Sequence, residues 1–329
     1  MYVALLAAAL FVGCLLAVQT SVNLQLNGAV KTPYGASTLQ LTIAAILLAI
    51  VAIAVGTIGA VSGVADAQWW HLLGGLASPL YITSGILLFP RIGALAAVGL
   101  FVTGQMFASL GLDLNGLLGI PQRPLTLGIV IGVICVLAGI TVIIRQGQPA
   151  KTRAPVAAPA GRSVGAMANP DTTRRLRVGN IAWIALGLVA GAVLPIQGAI
   201  NANLREDLDA PITVGMFSFI VASLAIALVL LVLLALRRTP TPQIRPLAQM
   251  PWWGWLGGAC AATYVTATFL LIPEIGAATT VALTVTGQQL FSAVIDNFGL
   301  FRMPRRPLTS RRVTGLILLI AGSVLVQLT

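Results

Sequence analysis

The chain has 329 residues, of which 58% are hydrophobic and only 8% are charged. Water-soluble domains average about 25% charged residues, so this composition excludes a soluble globule and predicts a membrane protein. The formal net charge is +11, and its distribution along the chain decides whether it reflects nucleic-acid binding or membrane orientation.

Ten runs almost free of charge are long enough to cross a bilayer, which takes about 20 helical residues. They lack the apolar/polar alternation of barrel strands, and a lipid-exposed backbone must satisfy its own hydrogen bonds, so we predict ten transmembrane helices. The first is expected to be a true span and not a leader, because a similar segment recurs from Ile181. The spans are 2–22, 36–61, 69–89, 92–112, 125–144, 181–200, 212–236, 252–272, 275–295 and 312–328.

Polar side chains lie within four of these approximate spans or at their ends, at intervals of four residues, which places each set on one helix face. They are Gln19 and Asn23 in helix 1, Gln105, Ser109 and Asp113 in helix 4, Gln197 and Asn201 in helix 6, and Gln288, Ser292 and Asp296 in helix 9. A polar stripe is unfavourable against lipid, so these faces should line the bundle interior or a water-filled cavity. Two interpretations stay open, a substrate pathway and interhelical hydrogen bonding. The two aspartates come late in their spans, where we expect hydrated carboxylates near the membrane interface.

Other features have simpler explanations. Tryptophans at the start of helices 3 and 8 indicate an interfacial aromatic belt, and the single histidine, His71, follows that belt and is expected to be interfacial. Pro195 is predicted to interrupt helix 6, where it could free backbone carbonyls for a ligand. Glycines recur at seven-residue spacing in helices 5 and 10 and predict that these helices pack closely. They are Gly132, Gly139, Gly315 and Gly322.

The segment 145–178 differs from everything around it. It carries seven basic residues and four prolines and has no apolar run, so we predict a solvated linker. The linker separates two similar halves, residues 1–144 and 179–329. An offset of 178 aligns Gly13, Gln19, Asn23 and Leu26 with identical residues of the second half, and an offset of 183 aligns Trp69, Gly104, Gln105, Ser109, Asp113, Arg123, Gly132 and Gly139. Such a match predicts a duplication.

The basic residues indicate how the chain is oriented. When the loops are assigned alternately to the two sides, 17 of the 19 Lys and Arg residues fall on the side opposite the N-terminus. The positive-inside rule then puts both termini outside and the linker in the cytoplasm, so the charge is an orientation signal and not a nucleic-acid footprint. Because each half has five spans, the second half must be inverted relative to the first. The predicted fold is therefore an all-α integral membrane protein with ten transmembrane helices in two inverted five-helix repeats, an architecture of secondary transporters.

Two motifs carry a family resemblance. Helices 1 and 6 share the pattern Q-x3-N-x-[NQ]-L from Gln19 and Gln197, and helix 9 reads GQQLFSAVIDNFGLF from Gly287. In these features the chain resembles a fused form of the YdcZ family of bacterial inner-membrane proteins in the drug/metabolite transporter superfamily. The resemblance implies export of a small molecule. The first half departs from the pattern, because it lacks the Asp-Asn-Phe-Gly run. The resemblance to the superfamily also implies a glutamate in the first helix, which small multidrug exporters use for proton coupling, but neither helix 1 nor helix 6 of this chain has one.

Three classes of function compete. An enzyme is disfavoured because the sequence offers no nucleophile/base pair, metal cluster or nucleotide-binding loop, and neither a cofactor nor a metal is expected. A membrane scaffold or assembly factor is the alternative, but it gives no reason for duplicated polar stripes. We favour a secondary transporter of the bacterial inner membrane that works by alternating access. Its expected partners are a small-molecule substrate and membrane lipid, without nucleic acid, and its two halves are expected to pair with each other.

Overall fold

The computed structural model describes residues 2–147, 170–275 and 277–328, and within these ranges the chain forms ten α-helices and no strand. The helices are α1 (Tyr2–Val30), α2 (Pro33–Ala54), α3 (Ala77–Ile92), α4 (Ala94–Asn115), α5 (Leu127–Gly147), α6 (Pro170–Leu208), α7 (Pro211–Ala235), α8 (Leu256–Ile275), α9 (Ala277–Phe298) and α10 (Ser310–Leu328). Eight helical segments in the described part are long and apolar enough to cross a membrane. The prediction of an all-helical, multi-pass membrane protein is therefore confirmed.

Several predicted boundaries differ from the structure. Helix α2 ends at Ala54 and not at residue 61, because Gly56 adopts a left-handed φ of +78° and the amide of Thr57 bonds back to the carbonyl of Ala52. Such a glycine cap terminates a helix. The chain continues as a 3₁₀ segment, Ile58–Ala65, and a second one, Trp69–Leu76, precedes α3. The tryptophans predicted to open helix 3 thus lie in 3₁₀ turns.

Helix α6 is longer than predicted. It begins at Pro170, within the predicted linker, and continues without interruption through Pro195, so the predicted break in this helix is wrong. Proline removes one backbone donor, but the turns on either side remain helical. The centre of the predicted linker, residues 148–169, lies outside the described residues.

The main helix contacts join the two halves of the chain. Helix α1 packs on α9 and α8, α6 packs on α4 and α3, α2 packs on α7, and α5 packs on α10. If the helices are counted within each half, the contact of α1 with α9 is equivalent to that of α6 with α4. The contact of α1 with α8 is likewise equivalent to that of α6 with α3. Each half therefore packs on the other in the same way.

Close backbone contacts repeat with the sequence offsets. A Cβ atom at Gly13 of α1 would overlap the carbonyl oxygen of Thr284 in α9, and one at Gly191 of α6 would overlap that of Phe101 in α4. Gly13 and Gly191 are 178 positions apart, and Phe101 and Thr284 are 183 apart. Only glycine lets these backbones approach so closely, so the repeat in the sequence corresponds to a repeat in packing.

The core lies where the halves meet, and its largest fully buried side chains include Leu26, Leu41, Phe89, Phe101 and Ile295. The outer faces of α2 and α7 are apolar and exposed. Their large exposed side chains include Ile46, Ile50 and Ile53 on α2 and Leu224, Leu228 and Leu231 on α7. In a membrane protein such a surface is the one that faces lipid.

Candidate functional site

Two equivalent tyrosines contact the same face of α9 at the packing between the halves. Tyr81 lies on α3 and Tyr264 on α8, 183 positions apart. The Tyr81 hydroxyl accepts a hydrogen bond of 2.9 Å from the Gln288 amide on α9, and the Tyr264 side chain bonds to that of Thr284 on the same helix. The ring of Tyr81 lies 4.9 Å, between centroids, from that of Phe101.

This tyrosine pair was missed in the sequence analysis, although a signal was available. The two positions are identical at the same offset that aligns Gln105 with Gln288. Tyrosine is moderately apolar and does not interrupt the apolar pattern of a predicted span. Its hydroxyl nevertheless needs a hydrogen-bond partner when it is buried.

The two predicted polar stripes are packed differently. Gln288, Ser292 and Asp296 on α9 are all buried, whereas Gln105, Ser109 and Asp113 on α4 are partly exposed. Gln288 bonds to Tyr81, and the Ser292 hydroxyl donates 2.6 Å back to the carbonyl of Gln288. Gln105 has no hydrogen bond to any described residue. Equivalent positions are therefore buried and hydrogen-bonded on α9, whereas on α4 they are partly exposed and Gln105 is unpaired.

The predicted amides of α1 and α6 bind neighbouring helices. The Asn23 amide donates 3.3 Å to Gln40 on α2, and Gln40 donates 3.4 Å to the carbonyl of Gly257 on α8. In the second half, Asn201 donates 3.1 Å to Ser218 on α7, the position equivalent to Gln40. Through these bonds Asn23 and Asn201 each connect their own helix to the next helix of the same half.

Gln19 and Gln197 differ despite their equivalent positions. Gln197 accepts 3.0 Å from the Ser78 hydroxyl on α3. The position equivalent to Ser78 is Ala261, which has no donor, and the side-chain oxygen of Gln19 is buried without a partner in the described part of the chain. An unpaired buried acceptor is unfavourable, so this position keeps hydrogen-bonding capacity that the fold does not use.

The environment of Asp296 differs from the predicted one. It is fully buried, so the prediction of a hydrated carboxylate at the membrane interface is wrong for this residue. One oxygen accepts 2.8 Å from the backbone amide of Ala94, and the other accepts 3.3 Å from Leu95 and 2.7 Å from the Arg312 guanidinium. Asp296 thus caps the N-terminus of α4 from the other half, where a negative charge is favourable.

Two arginines, the buried Arg312 and the partly exposed Arg306, complete this cluster. We call it the Asp296 clamp and define it as Asp296, Arg306, Arg312 and the first amides of α4. Arg312 is 5% exposed and donates 2.6 Å to the carbonyl of Arg306. Arg306 donates a hydrogen bond of 3.0 Å to the carbonyl of Arg91, which lies in the last turn of α3. Burial lowers the pKa of the Arg306 guanidinium from its usual value, and the Asp296 carboxylate opposes that shift. The clamp therefore ties α3 and α4 to the second half.

Asp113 occupies the equivalent place in the first half without such a clamp. The backbone turns are alike, since the Arg123 amide donates 2.8 Å to the carbonyl of Asp113 and the Arg306 amide donates 2.6 Å to that of Asp296. The side chains of Asp113 and Arg123 are 4.0 Å apart and 21% and 38% exposed. The position equivalent to Arg312 is Ile129, so a buried cation is missing there.

A second pair of equivalent contacts connects α1 and α6 to the loops after α9 and α4. The Gln25 amide donates 3.0 Å to the carbonyl of Phe301, and the Asn203 amide donates 2.9 Å to that of Leu118. Phe301 and Leu118 both adopt left-handed φ values, +55° and +56°. We call these contacts the Gln25 latch and the Asn203 latch. In the sequence analysis Gln25 and Asn203 appear only as the [NQ] position of the pattern shared by helices 1 and 6. Their acceptors are backbone atoms, which no sequence pattern marks.

The remaining predicted residues lie at other contacts. His71 is buried, and its Nδ1 contacts the carboxylate of Asp207 on α6. Gly132 lies against Gly322 and Gly139 against Gly315, so that α5 and α10 run antiparallel with their backbones in contact. Among the described residues no group of three or more His, Cys, Asp or Glu side chains could hold a metal ion.

Comparisons with known proteins agree with this architecture. The profile of a family described as "Putative inner membrane exporter, YdcZ" matches residues 4–142 and again residues 182–325. A solved structure titled "Crystal structure of protein" is similar over 97% of this chain and 96% of its own, with a TM-score of 0.53 and 14% sequence identity. At that identity the likeness shows the fold alone. A search among curated proteins finds no match.

Proposed function

Because the chain belongs to the YdcZ family of inner-membrane exporters, we propose that it is a secondary transporter that moves a small molecule across the bacterial inner membrane by alternating access. The proposed architecture is ten spans in two inverted five-helix repeats. Two matches of the family profile, one per half, support this arrangement. So do the helix contacts, in which each half packs on the other in the same way.

The pair of latches is the observation that carries the proposal. Each latch joins one half to the other, and the two are equivalent by sequence offset. In inverted repeats, equivalent positions lie at opposite faces of the membrane, so the Gln25 latch would close the cytoplasmic end and the Asn203 latch the external end. Alternating access requires such a pair, because one end must open while the other stays closed.

The tyrosine pair lies between these two ends. An inverted repeat places equivalent residues around a pseudo-twofold axis in the membrane plane, and substrates of such carriers bind near that axis at the repeat interface. Tyr81 and Tyr264 are equivalent and bond to Gln288 and Thr284, one turn apart on α9. This supports a central site lined by the tyrosines and Gln288, to which the repeat adds the equivalent Gln105. Two further predicted pathway residues, Ser109 and Ser292, lie one turn further along the same helices.

The orientation belongs to the same proposal. Both termini are external and the linker 145–178 is a cytoplasmic tether between the two halves, because most basic residues then face the cytoplasm. The exposed apolar faces of α2 and α7 contact lipid. A gradient supplies the energy.

Counterflow in proteoliposomes tests the transporter against the scaffold alternative. Vesicles would be loaded with one member of a panel of amino acids, nucleosides, sugars and cationic drugs, and uptake of the same labelled compound would be followed. We expect saturable counterflow of at least one compound over protein-free vesicles. A scaffold would give no counterflow with any compound at the same protein density.

A further inference from the structure

We propose that the central site is selective for small molecules without net charge that both donate and accept hydrogen bonds. This inference rests on the proposed function and names the class of substrate. It follows from what the two halves bring together at the tyrosine pair and from where the charged groups lie.

The described side chains at the centre are neutral. Tyr81 and Tyr264 offer phenol groups, Gln288 offers an amide and Phe101 offers an aromatic face. Gln105 is equivalent to Gln288 and lies one turn beyond Phe101 on α4, so we assign its amide to the same centre. Phenol and amide groups each donate and accept hydrogen bonds. They therefore suit a polar solute with both kinds of group and an apolar or aromatic body.

The charged side chains of α4 and α9 are separated from this centre. Asp296 and Asp113 each lie eight residues beyond Gln288 and Gln105, which is about 12 Å along a helix. Asp296 is already neutralised by Arg312 and by the amides of α4. Asp113 has Arg123 beside it. In the described part of the chain neither α4 nor α9 offers a free charge at the level of the tyrosines.

A charged solute would therefore lose its hydration without gaining a counter-ion. Moving an ion out of water is far more costly than moving a neutral polar group that finds hydrogen bonds. A cation could interact with the tyrosine rings, but that attraction is smaller than the cost of dehydrating the ion. The balance favours a neutral solute over both an anion and a cation.

The site also has unused hydrogen-bonding capacity. Gln105 has no partner among the described residues, although the equivalent Gln288 is bound to Tyr81. Gln289, next to Gln288, is fully buried, and neither atom of its amide has a partner in the described part of the chain. Buried polar groups are usually satisfied, so the Gln289 amide has unused capacity. Gln105 is partly exposed, and its unpaired amide is accessible to a ligand that donates and accepts.

Reaction of an introduced cysteine with methanethiosulfonates tests the selectivity without knowledge of the substrate. The native cysteines, Cys14, Cys135 and Cys260, would be replaced by alanine, and Gln105→Cys would be introduced into the full chain in nanodiscs, which leave both faces accessible. Three reagents of similar size would be compared: 2-hydroxyethyl (neutral), 2-trimethylammonioethyl (cation) and 2-sulfonatoethyl (anion). Each forms the same mixed disulfide with the thiolate and releases methanesulfinate.

Rates at position 105 would be divided by those at Ser62→Cys, an exposed position in the 3₁₀ segment Ile58–Ala65, so that differences in reagent chemistry cancel. We expect the neutral reagent to react at least tenfold faster than either charged reagent. Ser109→Cys, one turn away on the same helix and close in size to the native residue, should show the same order.

Relative rates within threefold of one another, or a faster cation or anion, would overturn the inference while counterflow could still demonstrate transport. If none of the reagents modified either cysteine in a folded protein, the centre would not be accessible, and the transport proposal would fail with it.

Discussion

The guanidinium of Arg312 lies 2.7 Å from the carboxylate of Asp296, and both side chains are almost completely buried. The two residues are 16 positions apart in sequence, and the same carboxylate caps α4 in the other half of the chain. One buried carboxylate thus stabilises both the start of a helix and a buried cation.

The first prediction concerns the stability of this pair. Asp296→Asn leaves Arg312 buried without a counter-ion, and breaking a buried pair from one side typically costs about 3–5 kcal/mol. We expect this variant to melt at a lower temperature than the double variant Asp296→Asn with Arg312→Gln, from which both charges are removed. Thermal unfolding in detergent, followed by tryptophan fluorescence, measures the difference.

Asp113→Asn is the matched control. Its partner, Arg123, is partly exposed and 4.0 Å away, and such a pair contributes at most about 1 kcal/mol. A melting temperature of Asp296→Asn equal to that of the wild type would show that the clamp does not stabilise the fold.

The second prediction concerns transport by the same two single variants. The Asp296 clamp joins α3 and α4 to the second half and would have to rearrange as the cytoplasmic end opens, whereas Asp113 has no such contact in the described structure. We therefore expect Asp296→Asn to change the rate of counterflow more than Asp113→Asn, when measured at equal amounts of reconstituted protein. Equal rates for the wild type and both variants would show that the two carboxylates have only a structural role. Gln105 and Gln288 would then be the better candidates for the pathway.

Sequence patterns were sufficient for the parts of the fold that repeat. Composition and run length identify the helices, and the two offsets identify the duplication. The seven-residue glycine spacing points to the pair α5 and α10, where Gly139 and Gly315 lie in contact. These features are visible because each depends on residues of one helix or on a match between two copies.

The site depends on contacts that a sequence does not display. The burial of Asp296 follows from Arg312 and from the amides of α4, which approach it only in the folded chain. The latches end on backbone carbonyls, so no side chain marks their acceptors. The tyrosine pair was predictable, since Tyr81 and Tyr264 match at the offset of 183, but the contact of both side chains with α9 required the structure.

The third prediction concerns the contact of α5 with α10. A Cβ atom at Gly139 would lie 2.6 Å from the carbonyl oxygen of Gly315, which is closer than van der Waals contact allows. Because the obstructing atom belongs to a helix backbone, the two helices would have to move apart. We expect Gly139→Ala to lower the melting temperature by several degrees.

Gly111→Ala on α4 is the control, because a Cβ there meets no atom within 4 Å. Replacing a helical glycine by alanine is intrinsically favourable by up to about 1 kcal/mol, so Gly111→Ala should be neutral or stabilising. A similar melting temperature for both variants would show that the glycine contact is not tight.

The fourth prediction concerns topology. With 17 of 19 basic residues assigned to one side, the positive-inside rule places both termini outside the cytoplasm. A reporter that is active only in the cytoplasm should be silent when fused after Thr329 and active when inserted in the linker, for example after Ala160. Signal from the C-terminal fusion at comparable expression would reverse the assignment of the two gates to the two faces.

The last prediction tests whether the two latches open in turn. Gln25→Ala removes the hydrogen bond to Phe301 in the loop 299–309, and Asn203→Ala removes the bond to Leu118 in the loop 116–126. Hydrogen exchange measured by mass spectrometry should show faster exchange in the loop that has lost its latch, because local opening exposes its amides.

If the ends alternate, loosening one end favours the conformation in which the other is closed. Each variant should then slow exchange in the opposite loop, and the two variants should give reciprocal patterns. Gln122→Ala is the control, since Gln122 bonds within its own half to the carbonyl of Leu114 and should loosen the loop 116–126 without affecting 299–309. Faster exchange in both loops from either latch variant would mean that the latches stabilise the fold as a whole and do not act as alternating gates.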